Sequence, residues 1–115
     1  MKEYDALIIG FGKGGKTLAG KLAAQGKRVA LVEKSDQMYG GTCINVGCIP
    51  SKSLVRNAQT ARRNSGTDFA WKADWYARAI HEKRDLTGML RGKNFAKLND
   101  LSNVTIYNGT ASFVS

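Results

Sequence analysis

Two cysteines, Cys43 and Cys48, stand in the run Gly40-Gly41-Thr42-Cys43-Ile44-Asn45-Val46-Gly47-Cys48-Ile49-Pro50-Ser51-Lys52. Two thiols brought within bridging distance can perform thiol–disulfide exchange. In an ideal helix their spacing would hold the Cα atoms roughly 8.6 Å apart, from a rise of about 1.5 Å per residue and a radius of about 2.3 Å. A disulfide tolerates at most about 7 Å. The segment must therefore depart from a regular helix if the pair is to bridge, and Gly40, Gly41 and Gly47 supply the backbone freedom. Pro50 disfavours helix at Ile49 and suits the first helical turn after it. That places Cys48 near a helix N-terminus, where the dipole and free N–H groups favour a thiolate, and Lys52 adds positive charge one turn on. The bland alternative is a pair of inert buried thiols. Two cysteines are too few for a disulfide scaffold, and a zinc ribbon would need four ligands, so no metal site is expected.

A second motif precedes the cysteines. Gly10-Phe11-Gly12-Lys13-Gly14-Gly15 fits G-x-G-x-x-G, in which the first glycine (Gly10) makes a tight turn, the second (Gly12) admits a pyrophosphate and the third (Gly15) packs helix on strand. Backbone N–H groups at the following helix start would then face the phosphates. Glu33 closes the next apolar stretch at the distance expected of an acid that binds a ribose diol. Gly10 with Gly15-Lys16-Thr17 also satisfies the P-loop order, but no second strand ends in a magnesium-binding aspartate. Glu33 and the cysteine pair favour a dinucleotide. The bland alternative here is a structural turn beside a solvated glutamate.

The elements that must position these groups can be read from periodicity. Tyr4–Ile9 and Arg28–Val32 are apolar runs of strand type, and Gly14–Gln25 is a helix with Leu18, Ala19, Leu22 and Ala23 one turn apart and Gly26 as its stop. The expectation is a parallel βαβ unit. Ser35–Gly41 reads as a loop. A second helix should run from about Pro50 to Asn64, with Asn64, Ser65 and Gly66 breaking it. A third should run from Asp74, as N-cap, towards Leu98, with Trp75, Ala79, Leu86 and Leu90 near one face. Val104–Tyr107 and Thr110–Val114 flank Asn108-Gly109, which favours a type I′ turn and hence a β-hairpin or meander.

With 115 residues the chain is about one domain, and no apolar stretch is long enough to span a bilayer, so a soluble, cytoplasmic protein is expected. A formal net charge of +9 raises the question of nucleic acid, with Lys83, Arg84, Arg91, Lys93 and Lys97 as the candidate contacts. The basic residues are spread through the chain rather than gathered in a tail. A solvated surface with some attraction for anionic cofactors is the simpler reading, and no nucleic-acid or membrane partner is expected.

The glycine loop and the cysteine segment together resemble the pyridine-nucleotide disulfide oxidoreductase family, which includes dihydrolipoamide dehydrogenase, glutathione reductase and mercuric reductase. The resemblance is close over the first sixty or so residues and looser beyond. Phe11-Gly12-Lys13-Gly14-Gly15-Lys16-Thr17 and Met38-Tyr39-Gly40-Gly41 are most similar to the branch tied to reactive-chlorine resistance. The resemblance implies an α/β fold, the N-terminal part of a Rossmann-like FAD-binding domain, with residues 1–115 forming only part of that domain. It implies that Gly10, Gly12 and Gly15 hold the FAD pyrophosphate, Glu33 the adenosine ribose, and Gly41 and Thr42 the flavin side. Cys48 would face the flavin, Cys43 would exchange with substrate, and Lys52 would sit near the flavin N5 edge. In such enzymes electrons pass from NAD(P)H through FAD to the cysteines and on to a small disulfide, an oxidant or a metal ion, in a homodimer. The NAD(P)H-binding and dimer-interface domains have no counterpart in these residues, so the chain alone is not expected to turn over. His81 matches no acid–base motif and is expected at the surface. A non-catalytic remnant remains the alternative, as does a basic nucleic-acid-binding domain.

Overall fold

The computed structural model describes residues 1–64 and 68–115. Strand β1 (Ala6–Ile9) leads through the glycine loop into helix α1 (Lys13–Ala24), and β2 (Val29–Glu33) follows. A 3₁₀ turn at Asp36–Met38 precedes the short helix α2 (Thr42–Asn45), then α3 (Cys48–Arg63), α4 (Phe69–Asn99) and β3 (Val104–Asn108). The strands form one sheet in the order β1-β2-β3. Both pairings are parallel, with Ala6 opposite Val29 and Val29 opposite Val104.

The core lies on one face of this sheet. Phe11, Val29 and Leu31 are fully buried, and Val104 joins them against Ala19 and Ala23 of α1 and Leu98 of α4. Each large apolar side chain removed from water there contributes about 1.5–3 kcal/mol. Period-two alternation turns Leu7 and Ile9 the other way, at 60% and 54% exposure. Leu18 is half exposed, so the buried stripe of α1 is Ala19, Leu22 and Ala23 without it. The helix ends in a Schellman cap: Gly26 N–H donates to the Ala23 carbonyl at 2.9 Å and Lys27 N–H to the Leu22 carbonyl at 3.1 Å.

Three expectations need correction. The β-hairpin across Asn108-Gly109 does not form: Val104–Asn108 joins β2 in parallel, and residues 110–115 form no strand. A type I′ turn needs positive φ at both central residues, yet among the described residues no non-glycine has positive φ and Gly109 is not one of the glycines that do. Instead Gly109 N–H donates to the Glu33 carbonyl at 2.8 Å, extending the β2 ladder. The long-range ladder and the burial of Val104 outweigh the local turn preference.

The third helix begins at Phe69 rather than after Asp74, because Asp68 is the N-cap and accepts from Trp71 N–H at 2.8 Å. Asp74 lies inside the helix and pairs with Arg78 at 2.7 Å, and Gly88 and Gly92 do not interrupt it. Asp68→Ala should therefore cost about 1 kcal/mol, read as a small fall in the thermal midpoint, whereas Asp74→Ala should cost a few tenths at most. The second helix starts at Cys48, two residues before Pro50, and stops at Arg63 with Asn64 as its C-cap. Of the expected breakers, Ser65 and Gly66 lie outside the described residues.

Candidate redox and dinucleotide site

The cysteine segment departs from a regular helix at the place the spacing demands. Helix α2 ends at Asn45 and α3 restarts at Cys48, and between them both Val46 and Gly47 N–H groups donate to the Thr42 carbonyl, at 2.9 and 2.8 Å. The second bond spans five residues, a π-type closure, and it leaves Cys48 near enough for its side chain and backbone N–H to act on the Cys43 thiol. Both thiols are free and exposed. Cys48 occupies the first position of α3, after Gly47. Lys52 is exposed on the next turn of the same helix.

Interaction with the Cys48 side chain raises the Cys43 pKa above the usual thiol value, and desolvation by neighbouring atoms and the Cys48 charge act in the same sense; Lys13 opposes them. A raised value means that little Cys43 thiolate exists at neutral pH in the dithiol, and that its alkylation by iodoacetamide climbs only above the usual thiol range. Cys48→Ala removes the leading cause, so the Cys43 alkylation profile should move to lower pH. A profile that stays in place would show that Cys48 is not what holds the value up.

Directly behind the cysteines lies the glycine loop. Gly41 has φ +93°, and a Cβ there would stand 2.7 Å from Gly12 Cα, so the redox segment is stacked backbone on backbone against the loop. A Cβ on Gly15 would come within 2.2 Å of the Gly10 carbonyl oxygen, which fixes how closely α1 approaches the turn. At Gly12, by contrast, a Cβ would meet nothing within 4 Å. The first turn of α1 has no side-chain cap. An open approach at Gly12 facing uncapped N–H groups has the donor chemistry that a pyrophosphate requires. Glu33 is oriented at the end of β2 by two backbone donors, Phe11 N–H at 2.8 Å and Ser35 N–H at 3.2 Å. The acid is thus tied directly to the glycine loop.

The P-loop alternative loses its two side chains. Lys16 Nζ donates to Asn94 Oδ1 at 2.8 Å and to the Gly40 carbonyl at 3.3 Å, and Thr17 Oγ1 donates to the Lys13 carbonyl at 2.6 Å. Burial lowers the Lys16 pKa, while the Cys43 side chain opposes that shift. Among the basic residues considered for nucleic acid, Arg91 turns inward and donates to Asn45 Oδ1 at 3.2 Å. His81 is exposed and lies 3.3 Å from Asp85. Among the described residues no group of three or more His, Cys, Asp or Glu side chains could hold a metal, and no helix is long and apolar enough to cross a membrane.

Sequence reasoning missed the support supplied by α4. Asn45 Nδ2 donates to the Tyr39 and Gly41 carbonyls at 2.9 and 2.8 Å, with Arg91 behind it. Tyr39 stacks on Phe95 at 5.0 Å and contacts Phe11 at 5.3 Å between ring centroids. Aromatic periodicity alone assigns Phe95 to a core, and nothing in the order of residues links it to Tyr39.

A parallel βαβ unit whose glycine loop abuts a cysteine pair defines a dinucleotide-dependent disulfide reductase class. The chain belongs to the pyridine nucleotide-disulphide oxidoreductase family, which it matches over residues 4–115. It is 50% identical over 115 residues to the probable pyridine nucleotide-disulfide oxidoreductase RclA of Escherichia coli K12, covering all of this chain and 23% of that protein. It is 38% identical over 122 residues to the glutathione reductase of Schizosaccharomyces pombe, covering 99% of this chain and 25% of that enzyme. The solved Cu(II) complex of the HOCl-induced flavoprotein disulfide reductase RclA from E. coli matches with a TM-score of 0.85, covering 100% of this chain and 23% of that one. The chain thus spans about a quarter of the length of these relatives. Its fold is the N-terminal part of a Rossmann-like FAD-binding domain. Similarity to a protein described as HOCl-induced agrees with the reactive-chlorine branch read from Phe11–Thr17 and Met38–Gly41.

Proposed function

We propose that this chain is the FAD-binding and redox-disulfide part of a flavoprotein oxidoreductase that carries electrons from NAD(P)H through FAD to Cys43–Cys48 and on to a small-molecule substrate. The observation that carries the reading is the stacking of Gly41 on Gly12, which joins the thiol pair to the dinucleotide loop without an intervening side chain. Gly10, Gly12 and Gly15 with the first turn of α1 would hold the pyrophosphate and Glu33 the ribose. Gly41, Thr42 and Lys52 would line the flavin side, with Cys48 as the thiol nearer to it. When bound, FAD supplies the electron pair that reopens the disulfide.

Cys43 and Cys48 carry the remaining chemistry. The Cys43 thiolate attacks one sulfur of a substrate disulfide and expels the other as a thiolate, leaving a mixed disulfide on Cys43. Cys48 then attacks Cys43 sulfur, which forms the internal disulfide and expels the second substrate thiolate. Two electrons have left the pair, and the two thiol protons end on the products. The exposure of Cys43 suits this first step. Relatives named for glutathione, mercuric ion and a Cu(II) complex support a small disulfide, a metal ion or an oxidant as the class of acceptor. Residues 1–115 would form part of the FAD-binding domain, with the NAD(P)H site and a homodimer interface supplied by residues outside them, in a cytoplasmic enzyme.

Titrating the protein with FAD should give a bound flavin spectrum. A redox titration should show a two-electron dithiol couple, roughly between −200 and −300 mV. Refusal of FAD would refute the cofactor assignment, and absence of a two-electron couple would refute redox use of the cysteines.

A further inference from the structure

Lys16 is the residue that gives Gly10–Thr17 the look of a P-loop, and its actual engagement points to a different task. Its Nζ reaches from α1 to the Gly40 carbonyl at 3.3 Å and to Asn94 Oδ1 of α4 at 2.8 Å. Asn94 is itself oriented, because its Nδ2 donates to the Leu90 carbonyl one turn back, at 2.8 Å. One ammonium group thus ties together the helix of the glycine loop, the entry to the cysteine segment and α4. The joint has little slack: a Cβ on Gly40 would lie 2.7 Å from Ile44 Cδ1 and 3.3 Å from Asn94 Cγ. Gly40 precedes Cys43 by three residues, so the carbonyl held by Lys16 sets the direction in which the chain enters α2.

We infer that Lys16 and Asn94 are positioning residues for the redox pair: together they fix the Gly40 backbone that leads into Cys43 and hold the Lys16 ammonium at that entry. The inference rests on the proposed redox use of Cys43 and Cys48. A purely structural clamp would need only the hydrogen bonds. Here the clamp also carries a charge: Lys16 is partly withdrawn from water and is acted on by Cys43, and by Coulomb reciprocity its ammonium favours a Cys43 thiolate in return. Cys48 from α3 raises the Cys43 pKa and Lys13 from α1 opposes it, while Cys43 in turn acts on Lys16 of the same helix as Lys13. Lys16 differs from Lys13 in being held in place by a partner that a substitution can remove.

The test is the pH profile of Cys43 alkylation by iodoacetamide in the reduced protein, with the modified cysteine identified by peptide mass. Lys16→Met should slow Cys43 modification at neutral pH by about three- to tenfold and move the profile to higher pH, since a tenfold change corresponds to about one pKa unit. Lys16→Arg, which keeps the cation and its donors, should stay within about twofold of the wild-type rate. Asn94→Leu, which leaves the cation but frees it, should slow modification by about two- to threefold. Profiles for Lys16→Met and Asn94→Leu that superimpose on wild type would overturn the inference. If Lys16→Met fails to fold, Asn94→Leu decides alone, and an unchanged profile overturns it. Failure of the redox reading is separate: wild-type protein would then show no two-electron couple, whatever its alkylation profile.

Discussion

In an enzyme that also contains the NAD(P)H-binding and interface domains, Cys43→Ser should lower turnover of a disulfide substrate by about 10³-fold or more while leaving FAD binding unchanged. A serine hydroxyl neither ionises near neutral pH nor forms a disulfide, so both the attack on substrate and the internal bridge disappear. Because Cys43 is exposed, the substitution removes no core packing and the fold should persist. Cys48→Ser should be as inactive in turnover yet fail at a later step. Its Cys43 can still attack, but the mixed disulfide has no resolving thiol. After incubation with a small disulfide, mass spectrometry should find a substrate adduct on Cys43 in the Cys48→Ser protein and none in the Cys43→Ser protein. Equal adducts on both variants would remove the division of labour.

The second large effect separates two glycines of one motif. Gly15→Ala places a methyl group 2.2 Å from the Gly10 carbonyl oxygen, a backbone atom that cannot swing aside. The helix must move off the turn, at a cost of about 3 kcal/mol and a fall in the thermal midpoint of about 10 °C. Gly12→Ala meets nothing within 4 Å and has φ −78°, which alanine adopts without strain. Its thermal midpoint without cofactor should match wild type, while FAD affinity should fall by about tenfold or more, because the methyl occupies the space left for the pyrophosphate. If Gly12→Ala binds FAD as well as wild type, the pyrophosphate does not lie there.

These two glycines also show why much of the site was legible in the sequence. A close backbone approach leaves a mark in residue type, and the Cys43–Cys48 spacing announced a break that the structure places at Val46–Gly47. Local rules served α1 equally well, since its stop at Gly26 follows from a left-handed cap at φ +78°. They failed where distant residues decide. Asn108-Gly109 favours a turn by itself, but the open edge of β2 recruits Val104–Asn108 into a parallel ladder. Asp68 and Asp74 are equivalent as local caps, and only the helix that forms selects between them. Lys16 and Asn94 are 78 residues apart, and Arg91 and Asn45 are 46 apart. No local spacing rule connects them, so the polar support of the cysteine segment was invisible until the chain was folded.

Helix α4 runs uninterrupted through 31 residues, about 46 Å at the rise of an α-helix. Near its C-terminal end it carries Arg91, Asn94, Phe95 and Leu98, which grip the cysteine segment, α1 and the core. Toward the other end its packing is against α3, where Trp75 Nε1 donates to the Asn57 carbonyl at 3.1 Å. The helix is therefore a beam clamped at the redox end and loaded at the far one. A force applied near Trp71 or Trp75 would travel along hydrogen-bonded backbone to the groups that aim Cys43, with no loop between to absorb it.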